Sequence, residues 1–280
     1  MNNTVGHSEV TPFKQKDLDN ILSVQIKKTR YVYKNTDKIS WSIKNREVYC
    51  YFIDCSAGDM ALDQQTSPSM FLKKLTSVKD LPIKLFLLEE NPKIYSQLVD
   101  NFNSCKKELD TSNMKIYIRN HNMNKYLPKI RLGEYAFGLV YFDPNGFKLK
   151  DYEAIFNFLE NNPRMDVLLN VSTTQIKRDR CLYKKKSIDN GALTKAQIEA
   201  FRKYDEFYFS TLLDRLNKKY IWIRDNIILT DVKSKHNFVM VFGTNTGNYI
   251  MDGDLSHFAS KDDKLGGKLI KKYNYTKEGK

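Results

Sequence analysis

Several stretches of the chain place chemistry-bearing side chains where an apolar run ends. The first is Ile53-Asp54-Cys55-Ser56-Ala57-Gly58-Asp59, in which a hydrophobic run stops at a carboxylate and gives way to small residues. Small residues after a strand let a ligand approach the backbone where strand carboxyl ends and a helix N-terminus converge. Asp54, Ala57 and Gly58 are therefore candidate ligand contacts, with a tight strand-to-helix turn as the plain alternative. A second run, Ile83 to Leu88, ends in Glu89-Glu90. A carboxylate there can accept both hydrogen bonds of a vicinal diol such as a ribose. Glu89 follows directly on Leu87-Leu88 and is the better placed, although acids that open a helix are also favoured by its dipole. After a third run, Lys115 to Ile118, comes Arg119-Asn120-His121-Asn122-Met123-Asn124. Asn122 is placed to hydrogen-bond an adenine edge, against the ordinary use of asparagine in closing turns.

The most telling stretch is Tyr141-Phe142-Asp143-Pro144-Asn145-Gly146-Phe147. An amine that attacks a methylsulfonium must aim its lone pair in line, so its two hydrogens are best held by a carboxylate and a backbone carbonyl. Asp143 and Pro144 can supply those acceptors, and Phe147 can stack on a flipped base. The same letters also spell a D-P-N-G turn that simply ends a strand. A fifth run, Asp166 to Val171, leads into Lys177, Arg178, Arg180, Lys184, Lys185 and Lys186, six basic residues within ten positions. Beyond a strand's carboxyl end, such a cluster suits the phosphates of a polyanion tracking the same rim, and a solvated loop is the alternative. The four histidines are dispersed and the four cysteines scattered without a C-x-x-C pair. Neither a metal site, a catalytic triad nor a disulfide framework stands out, and there is no P-loop or H-E-x-x-H.

The elements that must hold these residues alternate. Near-continuous apolar runs of strand length are what a parallel sheet covered on both faces requires. Between them, Lys93 to Cys105 carries Ile94, Leu98 and Phe102 at four-residue steps after Asn91-Pro92, and Asp151 to Asn161 carries a stripe of Tyr152, Ile155, Phe156, Phe158 and Leu159. Both predict sheet-covering helices. The longest helical pattern runs from Thr194 to Lys218. Two further strands, Tyr220 to Ile223 and Phe238 to Phe242, lie too close in sequence for a crossover helix and are expected to pair antiparallel. The expected fold class is thus α/β: a mostly parallel sheet with a terminal antiparallel hairpin and helices on both faces.

Composition sets the wider frame. The 280 residues carry 46 Lys+Arg against 33 Asp+Glu, a formal charge of +13 that favours polyanionic partners. With 41% hydrophobic residues the chain can bury a full core, which excludes a wholly disordered protein. No stretch approaches the ~20 apolar residues of a membrane span, and Met1 to Lys16 lacks a signal-peptide core. A cytoplasmic location without membrane attachment is expected. Residues 1–45 read as a preface packed on the core, with mixed helix and turn signals; residues 46–246 as the α/β domain; and residues 247–280, with seven lysines, as a loosely held basic tail.

The order of these segments resembles the three-Cys-motif partner family of Rossmann-like methyltransferases. The likeness lies in Tyr51 to Gly58, similar to that family's strand followed by D-x-F-A-G, then Thr66-Ser67-Pro68 and Leu85 to Glu89. It continues through Tyr141 to Gly146, which looks like a D-P-aromatic-G signature, and Leu169-Asn170-Val171-Ser172. Met60 stands where a second glycine is expected, Ser56 where an aromatic precedes Ala57, and Asn145 where an aromatic follows Asp-Pro. The resemblance implies S-adenosylmethionine as cofactor, with Asp54, Ala57 and Gly58 at its methionine end, Glu89 at its ribose and Asn122 at its adenine. It also implies a protein partner, while the basic stretch, the charge of +13 and the Asp143-Pro144 pair lead to the expectation of a nucleic-acid substrate methylated at an exocyclic amino nitrogen. The competing expectation is a methyltransferase scaffold without turnover that binds nucleic acid or assembles a complex.

Overall fold

The computed structural model describes residues 11–35, 49–62, 65–132, 136–144, 149–172, 215–226, 238–245 and 269–274. In chain order the elements are α1 (Thr11–Lys34), β1 (Cys50–Asp54), α2 (Ser67–Thr76), β2 (Ile83–Glu89), α3 (Pro92–Lys106), β3 (Met114–Asn120) and α4 (Met123–Tyr126). After one 3-10 turn at Leu127–Lys129 follow β4 (Phe137–Phe142), α5 (Leu149–Asn161), β5 (Met165–Ser172), β6 (Tyr220–Asn226), β7 (Phe238–Thr244) and β8 (Leu269–Asn274). The strands form one sheet in the order β3-β2-β1-β4-β5-β7-β6-β8. Strands β1 to β5 pair in parallel, while β7 enters antiparallel between β5 and β6. The expected mostly parallel sheet with a terminal antiparallel hairpin is present.

Two segments differ from their sequence reading. Of the preface, the described residues 11–35 hold one long helix, α1, which its sequence did not single out, and residues 269–274 of the basic tail form β8 against β6. Leu269-Ile270 and Tyr273 supply the β-forming side chains in that stretch, which the surrounding lysines disguise. Of the helix expected over Thr194 to Lys218, only residues 215 and 216 fall within the described helical residues.

The two-residue period of the strands builds two core layers. Phe52 of β1, Leu85 and Leu87 of β2, Leu139 and Tyr141 of β4 and Leu168 of β5 face a layer closed by α1, α2 and α3. Ile53, Phe86, Val140, Val167 and Leu169 face the other, closed chiefly by α5 through Tyr152, Ile155, Phe156 and Phe158. The helices begin where local chemistry dictates. At α3, Asn91 caps by accepting from the Lys93 and Ile94 amides at 3.0 and 3.3 Å, with Pro92 in the first turn.

Helix α1 runs antiparallel to β4 and β5 on the first layer. Near its C-terminal end Gln25 donates to the Gly138 carbonyl at 3.0 Å, and Lys28 pairs with Asp166 and reaches the Thr244 hydroxyl at 2.9 Å. These contacts all lie at the amino ends of β4 and β5. The Lys28–Asp166 pair is buried, and its attraction is strong there because water is excluded.

Gly138 marks a tight approach between β4 and β1. Its φ is +145°, and a Cβ there would lie 1.7 Å from the Tyr51 carbonyl oxygen of the neighbouring strand. Gly58 also has a left-handed φ, +69°, but a Cβ would meet nothing within 4 Å. Gly58→Ala is therefore expected to cost only the left-handed strain, about 1–2 kcal/mol. Gly138→Ala, which forces β1 and β4 apart, should cost roughly 3 kcal/mol or more. Urea unfolding of both variants checks this, and equal losses would contradict the β1–β4 register.

Candidate active site

Between β1 and β4 the strand order reverses, and in open α/β sheets the crevice beyond the carboxyl ends at such a reversal is where ligands bind. The register fixes which side chains meet there. Asp54 pairs across to Leu87 of β2 and Tyr141 of β4, and Tyr141 pairs to Leu168 of β5. Moving two residues on along each strand keeps the same face and gives the next row: Glu89, Ser56 in the turn after β1, Asp143 and Asn170. All stand on the face that carries α1. Asp54, Glu89 and Asp143, picked out separately in the sequence, are thus brought to one edge and one face.

Asp54 is fully buried. Its Oδ1 accepts from the Ser56 amide at 3.1 Å, and its Oδ2 is buried without a direct hydrogen-bond partner. Burial pushes its pKa up to about 7; the negative charges of Asp143 and Glu89 act in the same direction, while the Ser67 side chain and Ser56 amide oppose it. Glu89 is held differently, its two oxygens accepting from the Gly58 amide at 3.1 Å and the Asn91 amide at 2.8 Å. Each oxygen keeps a lone pair for a further donor. Ala57 is buried, its amide bonded to the Leu88 carbonyl at 3.0 Å, so the turn stays stitched to β2.

Asp143 is the centre of a polar cluster. Its Oδ1 accepts from the Lys14 ammonium of α1 at 2.9 Å and from the Asn170 amide, and its Oδ2 accepts from the Tyr141 hydroxyl at 3.3 Å. The Ser56 hydroxyl accepts from the Asp143 N–H at 3.1 Å and donates to its carbonyl at 3.0 Å, tying the turn after β1 to the end of β4. Tyr141 is buried, and burial, followed by the Asp143 charge, pushes its phenol well above the usual range; it stays a neutral donor. By lone-pair count Oδ1 is full and Oδ2 has one site left. The Asn170 Oδ1 is buried with no partner. Pro144 follows, half-buried.

Asn122 has a local structural role. Asn122 caps α4 through the Asn124 amide at 2.9 Å, and its Nδ2 donates to Glu90 at 2.5 Å, so the turn-closing use of this asparagine is realised. Phe147, Lys177, Arg178, Arg180, Lys184, Lys185 and Lys186 lie outside the described residues. Cys55 is buried, and burial raises its thiol well above its ordinary pKa, as befits a packing residue.

Sequence reasoning missed Ser56, Asn170, Tyr141 and Lys14 as site residues. Asn170 had a signal, being the one amide inside the apolar run Val167 to Val171. Tyr141 stands two residues before Asp143, hence on its face. Lys14 had none, since only the docking of α1 brings it there.

Met60 has a left-handed φ of 54° and is buried in the layer under α1 and α2. The backbone at this position thus adopts a conformation that glycine serves at no cost, while the methionine side chain is absorbed by the core.

No protein-family model matches the chain, and a search of curated proteins gives no match. Solved structures of similar course include a Legionella pneumophila protein, at 12% identity and TM-score 0.46 over 86% of this chain and 92% of that one. Another is a Streptococcus mutans protein in complex with SAH, at 9% identity and TM-score 0.37 over 70% and 89%. A third is an rRNA methylase from Streptococcus thermophilus, at 8% identity and TM-score 0.35 over 70% and 88%. The sheet order itself gives the fold: a Rossmann-like α/β sheet, doubly wound about β1 and β4, with β7 inserted antiparallel beside β5.

Proposed function

We propose that this chain is an S-adenosylmethionine-dependent methyltransferase that acts on nucleic acid at an exocyclic amino nitrogen. The observation that carries the reading is the row of Glu89, Ser56, Asp143 and Asn170 beyond Asp54 on one face, at the reversal of strand order. The residues fit the cofactor. Gly58 leaves open space where a Cβ would stand, Asp54 offers an unpartnered buried oxygen to a cationic methionine end, and Glu89 retains acceptor capacity for a ribose. Ala57 would line the methionine end with them, and Asn122 would meet the adenine.

When bound, the cofactor supplies a methyl group already activated on a sulfonium. The task of this chain is placement. The remaining lone pair of Asp143 Oδ2 and the Pro144 carbonyl would hold the two hydrogens of the acceptor amine, aiming its nitrogen at the methyl carbon. Lys14 and Asn170 are positioning residues that fix the Asp143 carboxylate through Oδ1 and leave Oδ2 for the amine. Phe147 would stack on the base, and Lys177, Arg178, Arg180, Lys184, Lys185 and Lys186 would grip phosphates. The motif order supports kinship with the three-Cys-motif partner family, hence a protein partner and a cytoplasmic site of action. No described helix is long and apolar enough to cross a membrane. Met60 favours the second reading, a scaffold without turnover, because the turn near the proposed methionine end is built with a strained, core-anchored residue.

Calorimetry with S-adenosylmethionine is expected to show saturable binding that Glu89→Ala abolishes. Asp143→Ala should retain binding but lose labelled-methyl transfer to a panel of DNA, RNA and protein substrates by a factor on the order of 100 or more. No binding at near-millimolar cofactor would remove the enzyme reading, and transfer only to protein would remove the nucleic-acid part.

Asp54 gives a pH signature. Its folded pKa of about 7 lies above its ordinary 3.8, so the fold holds an extra proton between those values. The stability this contributes is full below about pH 4 and lost as pH rises through 7. A cationic ligand favours the ionised form, so cofactor affinity should rise with pH through about 7. In Asp54→Asn that dependence should vanish, and an unchanged profile would show that Asp54 does not face the ligand's charge.

A further inference from the structure

Among the described residues, four donors converge on Asp143, and what they leave in the crevice is acceptors. The Lys14 ammonium and the Asn170 amide donate to its Oδ1, the Tyr141 hydroxyl to its Oδ2 and the Ser56 hydroxyl to its carbonyl. Oδ2 keeps one lone pair, and the side-chain oxygen of Asn170 is buried without a hydrogen-bond partner.

Asn170 is the unusual member of the row. It interrupts the apolar run Val167 to Val171 and is 3% exposed. Its backbone carbonyl accepts from the Tyr152 hydroxyl at 2.9 Å, and it pairs with Met240 of β7, so its backbone is fixed. A side-chain oxygen so deeply buried is ordinarily bonded, because it has given up water and an unpaired acceptor recovers nothing for that loss. Only the nitrogen half of this amide is used. Asp143 dictates that orientation, since turning the amide over would set its oxygen against the carboxylate. The unpaired oxygen therefore stands on the same amide that touches Asp143, beside the carboxylate proposed to hold the acceptor amine.

Asp143 Oδ2, the Pro144 carbonyl and Asn170 Oδ1 together match a base edge with three N–H hydrogens. The bases differ at that edge. Guanine carries its N2 amine beside a ring N1–H, three hydrogens in a row. Adenine and cytosine carry their amine beside a bare ring nitrogen, which is itself an acceptor. In this crevice that nitrogen would face Asn170 Oδ1 lone pair to lone pair and leave the buried oxygen unpaired.

We propose that the methyl acceptor is the exocyclic N2 of guanine and that Asn170 is the residue that selects it. This rests on the methyl-transfer reading above and names the base which that reading leaves open. The two N2 hydrogens go to Asp143 Oδ2 and the Pro144 carbonyl, and the N1–H goes to Asn170 Oδ1. Accepting the N1–H bond also pushes electron density toward N2, whose lone pair is otherwise drawn into the ring. As N2 forms its bond to the methyl carbon, the carbon–sulfur bond breaks with its electron pair staying on sulfur, and the surplus N2 proton passes to Asp143 Oδ2.

Labelled-methyl transfer to mixed-sequence DNA and RNA, followed by digestion to nucleosides, identifies the base. The label is expected on N2-methylguanine. Label on adenine or cytosine would overturn the choice of guanine while leaving methyl transfer to nucleic acid standing. Absence of S-adenosylmethionine binding, or label on protein alone, would remove the parent reading and this one with it. In an oligonucleotide that accepts label, 2-aminopurine in place of the target guanine keeps the amine but makes N1 an acceptor, and kcat/KM should fall about 10- to 100-fold. Asn170→Ala also loosens Asp143 and slows both substrates, but it should shrink their ratio to within about threefold, which a merely structural asparagine would not do. A ratio near one in the natural chain would assign the unpaired oxygen to water and overturn the proposal, even if the variant fails to fold.

Discussion

The reversal of strand order between β1 and β4 is the constraint on which the rest of the site depends. Because β1 is flanked by β2 on one side and β4 on the other, all in parallel, three strands deliver their carboxyl ends to the same edge. The two-residue period then decides which side chains share a face there. Asp54 sits at the last row of paired residues, and Glu89, Ser56, Asp143 and Asn170 form the row beyond it. A shift of one residue in any of these strands would send its polar residue to the α5 face and an apolar one into the crevice. The narrow approach of Gly138 to Tyr51 helps hold that register.

The site is also an electrostatic compromise. Three carboxylates close enough to influence one another cannot all be comfortably ionised in a partly dry crevice. The chain resolves this unevenly: Asp54 is buried with an elevated pKa, Glu89 is held by two backbone amides, and Asp143 is matched by Lys14. The three acids therefore differ in their readiness to receive a cation, a hydroxyl or an amine, although all come from strand ends of the same kind.

Much of this was legible in the sequence, for identifiable reasons. Strands β1, β2, β4 and β5 are apolar on both faces, so their runs and the abrupt stops at Asp54, Glu89 and Asp143 stand out. Helix α1 was not legible, because the face it buries includes Asp17, Gln25, Lys28 and Thr29 beside Leu18, Ile21 and Leu22, and that mixture hides a helical stripe. Strand β3 was found short, as Lys115 to Ile118, since its solvated face breaks the apolar run that marks the others. Strand β8 lay hidden among lysines. Asn122 was read as both a base contact and a turn residue from the same letters, and only the coordinates reveal its cap. Lys14 is the residue furthest from any sequence signal, as its place is set by contacts at the other end of its helix.

That arrangement joins two distant points of the molecule. Lys28 is locked to Asp166 and Thr244 at the amino edge of the sheet, and Lys14 meets Asp143 at the carboxyl edge, about 20 Å away along one rigid rod of 1.5 Å per residue. A helix so pinned at its base cannot slide by a fraction of a turn without withdrawing the counter-ion at its tip. The buried ion pair at one edge of the sheet thus sets where a positive charge stands beside Asp143 at the other.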